Sequence, residues 1–346
     1  MLDPKVLSSL VNAHHNTLQS LLHVEDVLNG RFIGMETHVR ALILAVACGE
    51  PLLLVGPPGT AKSRLIRAFC GTIGLIDEDD LSKRGDGYFE YLLTPFTEPG
   101  ELFGHYDIAA LQRGEGMVRL EKGMMQNASV VFLDEVFNAS SAILNSILAF
   151  MNERLFHDRG ELRPARMRCM FAATNDVPRG GELRAVYDRF VLRSWVESVR
   201  DTPEELGGLI HRGWLETYAV GHPHENLARL LDKLDALRAD IGRATTPDTV
   251  KRPDDKGLFG NLAHLVRTAR QYSASAVSNR RLVKLSYIMT VHRMLRAVQE
   301  SAQGKAKPAA ELRLGRPELA LFWTHFLDTI DPMVVQKLEK LPYPVE

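Results

Sequence analysis

Lys62 and Ser63 close a stretch, Leu52 to Ser63, whose residue types suit the grip of phosphates. Leu52 to Val55 is an apolar run of strand length, broken at Gly56-Pro57-Pro58-Gly59 and followed through Thr60 and Ala61 by good helix formers. Backbone N–H groups of such a loop and of the helix N-terminus beyond it point at an anion, and the helix dipole favours negative charge there. Lys62 would reach the β- and γ-phosphates of a nucleotide, and the Ser63 hydroxyl would ligate Mg²⁺. The usual pattern is G-x-x-x-x-G-K-[ST], and Ala61 stands where its last Gly is expected. A methyl group there is a small intrusion if the residue is already helical. A second chemical stretch, Ser129 to Glu135, ends an apolar run in two carboxylates. Asp134 would hold Mg²⁺ through its water shell, and Glu135 would act as general base on an attacking water. Alone, the pair reads equally well as an acidic helix cap; its place some 70 residues after the cradle favours the chemical reading. Asn175, closing the apolar run from Met167 to Thr174, could orient water against a γ-phosphate or simply turn a loop.

The elements that would position these groups follow from periodicity. Helices are expected over residues 4–29, 36–48, from Ala61 onward, 142–151 and 182–187, and strands over 52–55, 88–93, 129–135, 167–174 and 190–196. Residues 31–34 form a short extended lead-in. Residues 105–122 and 154–166 read as β-hairpins around Gly-rich or polar centres. At least five strands separated by helices is the pattern of a doubly wound parallel sheet, in which ligands bind at the C-terminal strand edge. Beyond residue 203 strands vanish, and helical periodicity fills 203–218, 224–240, 257–272, 279–300 and 317–329, with a short tail from Asp331. The fold class is α/β, with an α/β domain over residues 1–200 followed by an all-helical domain over 201–346.

The composition is ordinary for a globular chain: 45% hydrophobic and 25% charged over 346 residues, with net charge −1. That charge gives no support for nucleic acid as a partner. Cys48, Cys70 and Cys169 are far apart and read as buried hydrophobes in a reducing compartment. No apolar stretch is long enough to span a bilayer, and the N-terminus does not read as a signal peptide, so a cytoplasmic location is expected. The adjacent His14 and His15 read as a solvated helix face. The acidic Asp77-Glu78-Asp79-Asp80 reads as a solvated loop, Arg84-Gly85-Asp86 as a turn, and His222-Pro223-His224 as a loop without a third ligand.

Taken in order, these features resemble the AAA+ ATPases, and within them the MoxR family, closest to its RavA-like branch. The marks are Gly56 to Ser63, where Ala before Lys is the family's habit; Tyr91 to Gly104; Phe132 to Asn138; Ala142 to Phe156; Tyr187-Asp188-Arg189-Phe190; and Ser278-Asn279-Arg280-Arg281. The resemblance covers roughly residues 30 to 300. It implies an AAA+ core with a helical lid, and binding of ATP with Mg²⁺. It implies that Ile33-Gly34 contacts adenine, that Asn175 is sensor 1, and that Arg189 is an arginine finger reaching a neighbour's γ-phosphate. Arg280 is implied as the sensor-2 arginine in preference to Arg281. A finger requires a homo-oligomeric ring, with six subunits the expected number. The segments 105–122 and 154–166 match the family's helix-2 insertion and pre-sensor-1 hairpin, which would face the channel or a partner. The implied activity is ATP hydrolysis that drives chaperone-like remodelling of a protein client, with a von Willebrand factor A domain protein as possible partner. Two alternatives stand beside it. A DNA-directed motor would draw on Arg113, Arg119, Lys122, Arg154, Arg159 and Arg163, and a nucleotide-switched binding module would turn over little.

Overall fold

A computed structural model describes the chain except residues 82–84, 159, 179–180, 220–226, 228, 251–256, 304–310 and 341–346; the structural statements below concern the described residues. Arg84, Arg159 and the His222-Pro223-His224 stretch lie outside them.

Two helices open the chain, α1 (Pro4–Ala13) and α2 (His15–Arg31), where the periodicity predicts one over 4–29. The break falls at His14, whose φ of −111° ends α1. His14 is not solvated: its Nε2 lies 2.8 Å from Asp240 and its side chain is 11% exposed. Next come α3 (Glu36–Cys48), as expected, and β1 (Leu52–Val55), with α4 (Lys62–Thr72) leaving the loop between. Strand β2 (Tyr88–Leu92), helix α5 (Pro99–Phe103) and helix α6 (Ile108–Gln112) lead to β3 (Val130–Asp134).

Helix α6 replaces the β-hairpin expected over 105–122. The Asp107 carboxylate accepts from the N–H groups of Ala109 and Ala110, a local cap that satisfies the backbone without a partner strand. Strand pairing survives only as the single bridge between Tyr106 and Arg119 at the base. The second hairpin forms as expected, following α7 (Ser141–Glu153), with β4 (Leu155–Asp158) antiparallel to β5 (Glu161–Pro164). Then come β6 (Cys169–Thr174), α8 (Gly181–Tyr187) and β7 (Leu192–Trp195).

The five long-range strands form one parallel sheet in the order β2-β3-β6-β1-β7. Alternation divides its residues between two cores. Leu52, Leu54, Phe132 and Phe171 face α2, α3 and the helical region, whereas Leu53, Val131 and Leu133 face α7 and α8. The α/β doubly wound class holds, and helices alone follow: α9 (Pro203–Tyr218), α10 (Leu230–Ala244), α11 (Leu258–Gln271), α12 (Asn279–Ala302), α13 (Arg316–His325) and α14 (Pro332–Glu339). The expected tail from Asp331 is thus a helix, capped by the Asp331 side chain with Pro332 at its first turn. Helices α1 and α2 pack against α10 and α12, so one apolar core runs from the sheet into the helical region.

Candidate active site at the sheet edge

The cradle is set by backbone geometry at three residues. The Gly56 N–H donates to the Thr174 carbonyl at 3.1 Å, and a Cβ at Gly56 would lie 2.1 Å from the Val196 carbonyl oxygen, so only glycine fits. Gly59 has φ +83°, a left-handed conformation that glycine adopts without strain. Ala61 is also left-handed, with φ 60° and ψ 20°. It is therefore not helical, and the expectation that its methyl would sit inside the first turn is corrected. Glycine would be at ease there; alanine carries a strain of roughly 1 kcal/mol. Pro57 and Pro58 form the exposed crest, and Thr60 Oγ1 donates to the Pro57 carbonyl at 2.8 Å.

Lys62 opens α4 with its side chain buried beneath this loop. Its Nζ donates to the carbonyls of Gly56 (2.6 Å) and Pro57 (2.8 Å) and to Asn175 Oδ1 (3.4 Å). Burial lowers its pKa, opposed by the charges of Asp134 and Glu135. Ser63 Oγ donates to Asp134 Oδ2 at 2.8 Å. The other oxygen of Asp134 accepts the Glu135 N–H at 3.0 Å. Glu135 is left-handed as well, with φ 50°. Such strain in a non-glycine residue persists where its surroundings enforce it, and it collects at working sites. The turn aims the Glu135 carboxylate at Asn175, whose Nδ2 donates to Oε1. Burial first, and the Asp134 charge second, raise the Glu135 pKa above the ordinary glutamate value. Lys62, Ser63, Asp134, Glu135 and Asn175 thus form one hydrogen-bonded chain across the C-terminal ends of β1, β3 and β6.

Ile33 and Gly34, expected to contact adenine, lie between α2 and α3. Gly34 has φ +68°, and Ile33 reaches α9, where a Cβ on Gly208 would lie 2.3 Å from its Cδ1. Helix α9 is pinned from below. Its Glu216 takes Arg31 at 2.6 Å and Arg64 of α4 at 2.8 Å, and Arg212 donates to the carbonyls of Asn29 and Phe32. Arg31 also binds Glu78 at 2.6 Å, so Glu78 is a buried ion-pair partner and the acidic stretch 77–80 is not wholly solvated. No group of His, Cys, Asp and Glu able to hold a metal by itself occurs among the described residues.

Arg189 and Arg280 lie outside the hydrogen-bonded chain. Arg189 sits on the turn between α8 and β7, with Asp188 4.0 Å away and its Nε buried without a hydrogen-bond partner. That turn rests on a junction for which the sequence carries no local signal. Asp328, after α13, is shared by Arg193 of β7 and Arg281 of α12, the latter at 2.6 Å. Arg281 also donates to the Phe326 carbonyl, Arg193 to the Tyr187 carbonyl, and the Tyr187 hydroxyl to the Asp328 carbonyl. Ser278, which caps α12, donates to Asp188 at 3.1 Å. Burial alone would raise the Asp328 pKa, but Arg193 and Arg281 hold it below the ordinary aspartate value. Burial and the facing Arg281 lower Arg193 to about 10, still charged at neutral pH. Arg281 is thereby committed to the interior, and Arg280 lies on the exposed side of α12.

The residues present fit the groups expected of them. A hydroxyl and a carboxylate 2.8 Å apart are hard oxygen donors suited to Mg²⁺, and the N–H-rich loop before α4 suits phosphate. The arginines of the two insertions are mostly spoken for. Arg119 and Arg163 bind Asp158, Arg163 also binds Glu121, and Arg113 binds Glu115. No helix among the described residues is long and apolar enough to cross a membrane.

The family model that matches residues 19–238 describes the MoxR domain in MoxR-vWA-β-propeller ternary systems. That description supports the MoxR family and does not bear on the RavA-like branch expected from the sequence. An uncharacterised protein of Methanocaldococcus jannaschii is 35% identical over 187 residues, 54% of this chain and 47% of that protein. Protein MoxR of Paracoccus denitrificans is 28% identical over 182 residues, 50% of this chain and 49% of that protein. The chain spans about half the length of these curated relatives. A crystal structure of an inferred ATPase from Cytophaga hutchinsonii matches in fold, with a TM-score of 0.60 over 95% of both chains at 14% identity.

Proposed function

The chain belongs to the MoxR family of AAA+ ATPases, and from that premise we propose that it hydrolyses ATP in a homo-oligomeric ring and uses the motion to remodel a protein complex. One observation carries the reading: the chain of hydrogen bonds that joins Lys62, Asn175, Glu135, Asp134 and Ser63 at the edge where β1, β3 and β6 end. Each member has a separate task. Lys62, already beneath the loop, exchanges its carbonyl partners for the β- and γ-phosphate oxygens. Ser63 and Asp134 would hold Mg²⁺, which supplies charge neutralisation when bound. Glu135 takes the proton of the attacking water, and burial and the Asp134 charge raise its pKa above the ordinary glutamate value, which strengthens it as a base. Asn175 holds the Glu135 carboxylate in line and senses the γ-phosphate. The neighbouring subunit's Arg189 places positive charge on the transferred group, and that subunit's Arg280, which opens α12 beside the Arg189 turn, would approach the nucleotide from the same side. Fingers of this kind contribute on the order of 10³ or more in rate.

In this reading residues 1–200 are the nucleotide-binding domain and 201–346 the lid, and loss of the γ-phosphate shifts one against the other. A von Willebrand factor A domain protein is the proposed partner, supported by the ternary systems that the matched family description names. Ion pairing of Arg113, Arg119 and Arg163 supports a protein client over nucleic acid. The test is Glu135→Gln: ATP binding is kept, and turnover falls by about 10²–10⁴. Normal turnover in that variant overturns the assignment.

A further inference from the structure

Helix α9 carries an unpartnered apolar stripe. Leu206, Ile210, Trp214 and Tyr218 recur at every fourth residue and so share one face. Ile210, Trp214 and Tyr218 are 67%, 65% and 67% exposed, and the Trp214 and Tyr218 rings lie 4.9 Å apart. The stripe cannot turn inward, because Glu216 and Arg212 lock the opposite face to Arg31, Arg64 and the end of α2. Contiguous apolar surface held outward in this way marks a contact surface.

A groove of about 650 Å³ between α11 and α12 has matching properties. Phe259, Leu262, Val266, Leu282 and Val283 line it, and Arg267 and Arg270 line it as well. Val283 is 71% exposed. Glu204 in the first turn of α9 is exposed, whereas Glu205 lies on the locked face and accepts the Arg200 N–H. The stripe thus begins at one acidic residue, and the groove is bordered by Arg267 and Arg270.

The two features lie on different sides of the molecule's working parts. Helix α9 lies beside the cradle, with Gly208 over Ile33 and Glu216 on Arg64 of α4. The groove lies beside Arg189. Ser278 binds Asp188, and Leu282 stands about 6 Å further along α12. A ring that carries Arg189 to a neighbour's cradle must bring these two sides together through a heterologous contact. We infer that α9 of one copy docks into the α11–α12 groove of the next, with Trp214 and Ile210 as anchors and Glu204 facing Arg267. The inference rests on the ring reading above and names the surfaces that would build it.

The experiment compares full-length wild type, Trp214→Glu and Val283→Glu by native mass measurement with ATP and Mg²⁺. Both positions are exposed, and an unchanged thermal midpoint verifies folding, with Ile210→Glu as a second stripe variant. Each variant alone should need a concentration at least about tenfold higher to assemble, as loss of a central aromatic or apolar anchor implies. An equimolar mixture of Trp214→Glu and Val283→Glu should form dimers that do not extend, because each brings one intact surface. Wild type that stays monomeric removes the ring and this contact with it. Wild-type assembly that persists in both variants leaves the ring and overturns the contact alone. Loss in Trp214→Glu with full assembly in Val283→Glu, or a mixture that stays monomeric, overturns the pairing of α9 with the groove.

Discussion

Asp328→Ala should destabilise the fold more than an ordinary surface change, and the size of the loss follows from what surrounds the carboxylate. Arg193 and Arg281 are 0% and 1% exposed, and both donate to Asp328 Oδ1, while Oδ2 accepts the Ala276 N–H at 2.8 Å. Removing one partner of a buried ion pair costs about 3–5 kcal/mol because a charge is left uncompensated. Here two like charges are left facing one another, with Asp188 remaining 3.9 Å from Arg281. The carbonyls of Tyr187 and Phe326 still accept from them, and Asp328 itself is 19% exposed, which places the expected loss near about 3 kcal/mol. With a urea m-value of about 3 kcal/mol/M, the unfolding midpoint falls by about 1 M. The assay is urea unfolding at neutral pH, with wild type and variant at one protein concentration.

The sign with pH follows from the depressed pKa of Asp328. A carboxylate whose folded pKa is lowered adds stability above its unfolded value, near about 4, and loses it as pH falls through the folded value. The gap between wild type and Asp328→Ala should be constant above about pH 5 and should shrink in acid. A loss below about 0.5 kcal/mol, the range of an ordinary surface change, would refute the view of a charge-balanced junction beneath the Arg189 turn.

Three further outcomes test the site itself. Ala61→Gly removes roughly 1 kcal/mol of left-handed strain but adds about 0.4–1 kcal/mol of unfolded-chain entropy, so stability should stay near wild type. A fall above about 1 kcal/mol in urea unfolding would mean that the methyl packs. Gly56→Ala drives a Cβ to 2.1 Å from the Val196 carbonyl oxygen, a backbone atom that cannot step aside. Calorimetry and ATP titration should show about 1–3 kcal/mol of lost stability and loss of binding; retention of both defeats the steric argument. Because burial and Asp134 raise the Glu135 pKa, the acid limb of kcat against pH should lie above the ordinary glutamate value of about 4.3, and a limb at or below it excludes Glu135 as the titrating base.

What was legible in the sequence is what short-range chemistry dictates. The apolar run before Gly56 and the run before Asp134 have the length of buried strands, and in the parallel sheet their chemical residues emerge at one edge. Helix α6 carries a local signal of its own. Asp107 followed by Ile-Ala-Ala-Leu-Gln and then Gly114 is a capped helix with a stop, and the alternation around it was outcompeted. Asp331-Pro332 carries the same kind of start signal for α14. Ala61 was misplaced because a pattern of residue types does not record φ, and one position can be left-handed in a loop whether it holds Gly or Ala. The Asp328 junction was out of reach for a deeper reason. Its members are separated by up to 141 residues, and none is marked by local spacing. Only packing α13 onto β7 brings Asp328 to Arg193, so the support beneath Arg189 belongs to the tertiary fold. The same holds for α9: its apolar stripe was read as ordinary helical periodicity, and only the locking of Glu216 and Arg212 on the other face makes it an outward surface in need of a partner.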